Sequence, residues 1–328
     1  MKDFRYVRLA EASDVPNVVK RSANPQFVAG GTNQIDLMKL GIAIPDTLLD
    51  ISRLALKNIE VRPDGSLLIG ALATNAEVAY HTEVHERFPA LSRAIMSGAT
   101  PQLRNAATVG GNILQRTRCW YFREGMVQCN KKMPSAGCPA IVGFSGEHAI
   151  HGASDKCIAV HPSDMCVALT ALDAVVHTQS ANGKRRIPFT DFHLLPGDTP
   201  ERETVLEPGE LIVAVELPAT RFAARSTYVK TPIDGFAHAS CAAAIHMRDG
   251  LVEEVRLAFG GVAHKPWRSH RAEAVLTGKP LDDQTLDAAA AAAIKGTETT
   301  KDNAYKVPLM KVVLKRALNA LKDSGEKQ

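Results

Sequence analysis

The sequence has no run approaching the ~18 consecutive apolar residues of a membrane-spanning helix, so no helical span is expected. Its opening, Met1 to Arg8, lacks the apolar core of a signal peptide, and the chain is expected to carry no export address of its own. No G-x-G-x-x-G pattern sits at either strand-to-helix glycine turn, which removes support for a Rossmann-type dinucleotide site. An excess of one charge is missing too: a formal charge of +4 over 328 residues gives no case for a nucleic-acid partner. No internal repeat occurs at a solenoid period. Cysteine is scarce, with only six residues, yet Cys119, Cys129, Cys138 and Cys157 fall within 39 consecutive positions.

What is present fits a globular protein of two or three domains, with 45% hydrophobic and 23% charged residues. Strand-like segments are expected at 26–29, 48–51, 66–70 and 210–217, and hairpins over 174–189 and 239–259, the second turning at Asp249-Gly250. Helices are expected near 35–40, from Thr74, where Thr74 and Glu77 have capping-box spacing, and over 89–96, 165–172, 271–277, 285–294 and 305–321. Ser163 or Asp164 is placed to cap the helix at 165. The chain after Lys322 is expected to fray. The pattern is mixed α+β, with a domain boundary near 218–225.

Two glycine turns punctuate the first half, Gly30-Gly31-Thr32-Asn33-Gln34 and Thr108-Val109-Gly110-Gly111-Asn112. Glycine lets backbone approach a ligand closely, and successive N–H groups at a turn and helix start can hold an anion such as phosphate. Either turn alone could be an ordinary link between strand and helix; two of them are more informative. The second leads directly into the cysteine segment, which also carries seven glycines and prolines of loop character. Without an export signal, clustered cysteines point more to metal or redox work than to disulfides, but a metal loop, a disulfide loop and a chance cluster all remain compatible with the spacing. Cys166 and Cys241 lie in apolar surroundings and read as core residues.

These pieces resemble the FAD-binding subunits of the molybdenum hydroxylases, the xanthine dehydrogenase and aldehyde oxidoreductase superfamily. The resemblance covers nearly the whole chain and rests on Val28 to Asn33, Thr108 to Asn112, Pro162-Ser163-Asp164-Met165, Tyr228-Val229-Lys230 and Phe259 to Ala263 with Pro266-Trp267-Arg268. It implies a vanillyl-alcohol-oxidase-like, PCMH-type FAD fold in two subdomains, 1–58 and 59–222, with an insertion at about 115–160. A smaller α+β domain of the CO dehydrogenase flavoprotein C-terminal kind would follow over 223–328. Carried over by motif, Val28, Ala29, Gly30, Gly31, Thr32, Asn33 and Gln34 would form the first phosphate turn, and Ala99, Thr108, Gly111 and Asn112 the second. Asp164 would bind the sugar-chain side of the cofactor, while Leu211 or Ile212 and Lys230 would lie near the adenine or flavin ring.

In xanthine dehydrogenases the segment between the second turn and the Ser-Asp motif is short, whereas Asn112 and Asp164 are 52 positions apart here. Family members with such an insertion use it to hold a 4Fe-4S cluster, and its wording is similar to that of bacterial three-subunit aldehyde oxidoreductases rather than 4-hydroxybenzoyl-CoA reductase. The resemblance therefore assigns Cys119, Cys129, Cys138 and Cys157 as ligands, one per iron. Six basic residues between Ile113 and Val160 against three acidic ones would offset the thiolate charge. His148, His151 and His161 could tune or ligate the cluster, with hydrogen bonding the commoner role. The implied function is electron transfer within a heterotrimer, with a large subunit holding the molybdenum cofactor and a small one two 2Fe-2S clusters. No residue here is expected to be catalytic toward aldehyde. Competing readings are a flavin oxidase of a small alcohol, for which no substrate base can be named, and a disulfide- or zinc-stapled docking loop. Co-export with a signal-bearing partner would put the chain in the periplasm; otherwise it is cytoplasmic.

Overall fold

The computed structural model describes residues 1–233 and 235–324. Three sheets organise the chain. The first is parallel and small, with β1 (Arg5–Arg8) and β2 (Pro25–Val28) on either side of β3 (Thr47–Asp50). All four residues of β3 are buried, as expected of the central strand of a covered parallel sheet. Leu49 joins the apolar cluster of Leu9, Val15 and Leu54 on one face, while Leu48 packs with Val28 and Met38 on the other.

The second sheet has five strands in the order β4-β5-β8-β6-β7: β4 (Ile59–Val61), β5 (Leu67–Gly70), β6 (Val175–Ser180), β7 (Gly183–Pro188) and β8 (Leu211–Leu217). All its pairings are antiparallel. Its core is shared with the helices Pro89–Ser97 and Asp164–Ala171, the second of which is buried at every position. The Thr74 capping box forms as expected: Thr74 Oγ1 accepts from Glu77 N at 3.1 Å, and Glu77 accepts from Thr74 N at 2.7 Å.

The third sheet, β12-β11-β10-β9, is antiparallel: β9 (Ser226–Ile233), β10 (Phe236–Arg248), β11 (Leu251–Gly260) and β12 (Trp267–Arg268). The expected hairpin is its centre, and Asp249 and Gly250 turn it with φ of 51° and 75°. Alternate β10 residues Ala239, Cys241, Ala243 and Ile245 face the helices Asp283–Ala293 and Lys306–Ser324, so the alanine run reads as close helix packing. The helix that was expected to fray after Lys322 continues through Ser324, and the remainder of that expectation lies outside the described residues.

The segment from 115 to 160 contributes no strand and only short helical pieces, Trp120–Arg123 and Pro139–Ile141. It is anchored at both ends of its charge pattern. Arg116 and Lys131 meet Glu203 at 2.6 and 2.5 Å, and Arg123 meets Asp36 at 2.5 Å. Ile150 and His151 donate backbone N–H groups to Val262 at 2.9 and 3.0 Å.

A buried junction ties the second core to the third sheet. Arg268 donates to Asp173 at 2.7 Å and to the Thr170 carbonyl at 3.1 Å, and also pairs with Glu273. Arg268→Leu leaves both carboxylates without this cation and is expected to lower unfolding free energy by roughly 3 kcal/mol, read as a lower urea midpoint.

Candidate functional site: a cavity between two glycine turns and a four-cysteine loop

The first glycine turn follows β2 and starts the helix Gln34–Lys39. A Cβ on Gly30 would stand 1.8 Å from the Ala106 carbonyl oxygen, so only glycine lets this turn lie against the segment that enters the second turn. Gly31 has φ +73°, the left-handed region. The backbone N–H groups of Gly31, Thr32, Asn33 and Gln34 find no acceptor among the described residues, and the buried Asn33 Oδ1 is likewise unpartnered. Four adjacent free donors at a helix start make a place for an anion.

The second turn is built differently. Val109 N and Gly110 N donate to the carbonyls of Ala73 and Ala71 at 3.0 and 2.8 Å, and Gly111 N is capped by Thr108 Oγ1 at 3.3 Å. The N–H groups of Val109, Gly110 and Gly111 are thus used in seating the turn at the end of β5, whereas the first turn keeps four adjacent ones free.

Two cavities meet at these turns. One, of about 340 Å³, is lined by Ala29, Gly30, Gly31, Thr32, Asn33 and Gln34 together with Thr108, Gly111, Leu211 and Ile212. The other, of about 430 Å³, shares Thr32, Asn33 and Gly111 and adds Ala99, Asn112 and Asp164. Val28 lines neither: its side chain packs with Met38 and Leu48. Leu211 and Ile212 therefore sit at the opposite end from Lys230, which reaches the second cavity through Asp164. Ala99 adopts φ 53°, an uncommon conformation for a residue with a Cβ, and the buried Arg104 holds it by donating to the Gly98 and Ala99 carbonyls at 2.9 and 2.8 Å.

Asp164 opens a helix but does not cap it. Ser163 Oγ takes the cap, accepting from Cys166 N at 3.1 Å, and itself donates to Asn112 Oδ1 at 2.5 Å. The Asp164 carboxylate is left to accept from Tyr228 and to pair with Lys230 at 2.7 Å. Burial pushes its pKa up, and Lys230 and Tyr228 oppose that shift. Lys230 also donates to the Ser97 and Gly235 carbonyls at 3.1 and 2.8 Å. Sequence reasoning gives Tyr228 no role of its own, although it stands in the Tyr228-Val229-Lys230 motif and residues two apart on a strand share a face; Arg104 it misses.

The four cysteines of the insertion converge, and all six cysteines of the chain are free thiols. Burial pushes Cys119 up to about 12 and Cys157 up to about 11, and the neighbouring thiols Cys129 and Cys157, or Cys138 and Cys129, add to each shift. Cys138 is raised as well, by burial and by Cys129. Asn130 organises the group: its Nδ2 donates to the Lys156 carbonyl at 2.8 Å and its Oδ1 accepts from Gly137 N at 2.7 Å, tying the neighbours of Cys157 and Cys138 to Cys129. Among the described residues no three of these sulfurs lie within 4.8 Å of one another. His148 Nε2 is 3.2 Å from Cys119 Sγ. Burial lowers the His148 pKa to about 4, with Lys306 adding to the effect, so the ring is neutral at pH 7.

The basic residues of the insertion are not a free solvated face. Lys131 is buried, and Arg116, Lys131, Arg118 and Arg123 pair with Glu203 and Asp36 from outside the insertion. Burial would raise Glu203, but Lys131 and Arg116 hold it down at about 2. The excess of three positive charges is thereby reduced to one (3 − 2). Cys241 is core, as expected. Cys166 is also core, yet its sulfur and one ring nitrogen each of His161 and His193 lie within 4.8 Å of one another. Among the remaining loop histidines, His151 stacks on Trp267 with ring centroids 4.9 Å apart.

A free-donor turn, a second turn closing on it and a two-part cavity make an anion-binding site outside a Rossmann fold, with room for an extended ligand. Comparison with known proteins agrees. Residues 2–220 match the FAD binding domain in molybdopterin dehydrogenase, and residues 227–321 the CO dehydrogenase flavoprotein C-terminal domain. The chain belongs to the family of FAD-binding subunits of the molybdenum hydroxylases, as an oxidoreductase subunit. It is 46% identical over 97% of its length and 98% of the relative's to the aldehyde oxidoreductase FAD-binding subunit PaoB of Escherichia coli K12. It is 28% identical to the carbon monoxide dehydrogenase medium chain of Hydrogenophaga pseudoflava, over 91% and 89% of the two chains. A solved carbon monoxide dehydrogenase from that organism superposes with a TM-score of 0.76 at 27% identity, covering 98% of each chain. The α+β fold expected from the resemblance is borne out.

Gly30→Ala tests the contact between the turns. The added Cβ forces them apart, and the variant is expected to retain less FAD, measured as the visible-to-ultraviolet absorbance ratio, with a stability loss of about 1–3 kcal/mol.

Proposed function

We propose that this chain is the electron-transfer subunit of a molybdenum-dependent aldehyde oxidoreductase, carrying FAD and a 4Fe-4S cluster. It would take electrons from the 2Fe-2S clusters of a small partner subunit, with the molybdenum cofactor on a large one, and pass them through FAD to an external acceptor. The chain does not oxidise aldehydes alone. The reading includes FAD subdomains at 1–58 and 59–222, the insertion at about 115–160 and a C-terminal domain at 223–328. It also includes export to the periplasm by a signal-bearing partner.

One observation carries the proposal: Cys119 of the thiol group and Asp164 of the flavin cavity line the same space. The residues fit both groups. The free N–H groups of Gly31 to Gln34 suit the pyrophosphate, Asn33 Oδ1 has an unused acceptor, and Asp164 offers carboxylate oxygens to sugar hydroxyls. Bound FAD supplies chemistry in steps of one or two electrons; the chain positions it and excludes water.

For the thiols, a zinc ion with Zn–S bonds of ~2.3 Å draws tetrahedral ligands to roughly 3.8 Å from one another. Four thiolates also meet the one-per-iron requirement of a 4Fe-4S cluster, which, unlike zinc, has redox chemistry to share with a flavin. Buried thiols that raise one another's pKa become thiolates when a cationic centre compensates them. His148 Nε2–H is placed to donate to Cys119 Sγ, and its backbone is clamped from the C-terminal domain: Lys306 Nζ and Asn303 Nδ2 donate to its carbonyl at 3.0 and 3.5 Å.

Anaerobic purification with iron, sulfide and flavin analysis tests the proposal. About four irons with one FAD are expected, with iron lost and FAD kept in Cys138→Ser. FAD without iron, or with zinc in its place, refutes the cluster. A hydrogen bond to a ligand sulfur stabilises the reduced cluster, so His148→Leu is expected to shift the cluster midpoint to more negative potential in an EPR-monitored redox titration, with His148→Gln restoring part of the shift.

A further inference from the structure

The flavin cavities do not end at Asp164. A third cavity, of about 540 Å³, shares Arg118, Pro162, Asp164 and Phe236 with the 430 Å³ cavity and reaches Cys119 and His148 on its far side. The third cavity thus adjoins the proposed flavin site and is lined by both Asp164 and a proposed cluster ligand, Cys119. The two smaller cavities meet at Thr32, Asn33 and Gly111, the pyrophosphate turns, so each is available to one half of the dinucleotide. The third is left for a second molecule.

Its lining describes that molecule. Trp120 and Phe144, 73% and 64% exposed, line it together with Phe236 and Ile233, and these side chains suit a flat apolar ring. Its polar groups include donors without acceptors. Arg118 and Arg123 share a single carboxylate, Asp36, at 3.6 and 2.5 Å. Arg118 Nε and Arg123 Nη1 are buried and find no partner among the described residues. Two guanidinium groups on one carboxylate leave other N–H donors over for an oxygen acceptor in the cavity. The charge balance opposes an anionic ligand: the two arginines already share Asp36, Glu124 and Glu147 also line the cavity, and Lys230 is already paired with Asp164.

We infer that this cavity is the binding site of the electron acceptor, and that the acceptor is a neutral quinone: a flat apolar ring whose carbonyl oxygens accept from Arg118 and Arg123. The inference rests on reading the two smaller cavities as the FAD site. In the reaction the two quinone carbonyl oxygens take up two electrons and two protons from the reduced flavin and become hydroxyls, and oxidised flavin is recovered.

Duroquinone is a suitable probe, since its ring is fully substituted and does not alkylate thiols. The chain has two tryptophans, Trp120 and Trp267, and only Trp120 lines the cavity. Titrating the FAD-loaded full chain with duroquinone is expected to quench tryptophan emission saturably. The saturable part should vanish in Trp120→Phe, and Arg123→Leu, which alters the third cavity and neither of the other two, should weaken the Kd about tenfold, ~1.4 kcal/mol, with FAD content unchanged. Absence of saturable quenching in FAD-loaded wild type overturns the inference, as does an unchanged Kd in Arg123→Leu. Loss of FAD from Arg123→Leu also overturns it, because the cavity would then belong to the flavin ring. Wild-type protein that retains no FAD refutes the flavin reading itself, a separate outcome seen before any quinone is added.

Discussion

The ion pair between Asp164 and Lys230 is the contact on which the site depends. It joins the first turn of a fully buried helix of the second core to β9, the edge strand of the third sheet. A pair this buried gains little net stability, because desolvation offsets much of the Coulomb attraction. Its consequence is positional. With Tyr228 donating to the same carboxylate from the same face of β9, the C-terminal sheet is held over the glycine turns at one separation, and the space between them becomes a cavity.

The insertion obeys the same logic with weaker local order. It has no sheet and little helix, so its cysteines are placed by contacts from outside it. Glu203 and Asp36 hold its arginines and Lys131. Val262, Asn303 and Lys306 hold the backbone near His148. Lys306 is wholly buried and its pKa falls to about 7 through burial, with Glu147 opposing the shift, so the protein accepts a costly group there to fix two carbonyls. The thiol group consequently reports on the docking of the second and third sheets, since each contributes a part of its support.

Seen from the cofactor side, the two glycine turns divide their labour. Similar in sequence, they differ in use: one keeps four adjacent N–H groups free, the other spends those of Val109 and Gly110 on the carbonyls of Ala73 and Ala71. Gly30 is required because another backbone passes it, whereas Gly110 sits closely over Ala71, 3.3 Å from where its Cβ would be.

Local order was legible in the residues. The Thr74 capping box, the hairpins, the glycine turns and most helices follow from short-range sterics and hydrogen bonding, which a few neighbouring residues determine. The motif resemblance likewise pointed to the family and to most of the cavity lining. Distances between distant segments were not legible. Nothing near Asp164 says that Ser163 will take the helix cap and free the carboxylate for Lys230, 66 positions on. The partners of Arg116, Arg118, Arg123 and Lys131 lie outside the insertion, so reading it alone set these charges against the thiolates where the structure uses them as anchors. The sequence by itself determined the elements, the turns and the cysteine set; the tertiary structure decided which N–H groups stay free, which carboxylates are paired and that Asp164 and Cys119 line one cavity, because these depend on packing between segments remote in the chain.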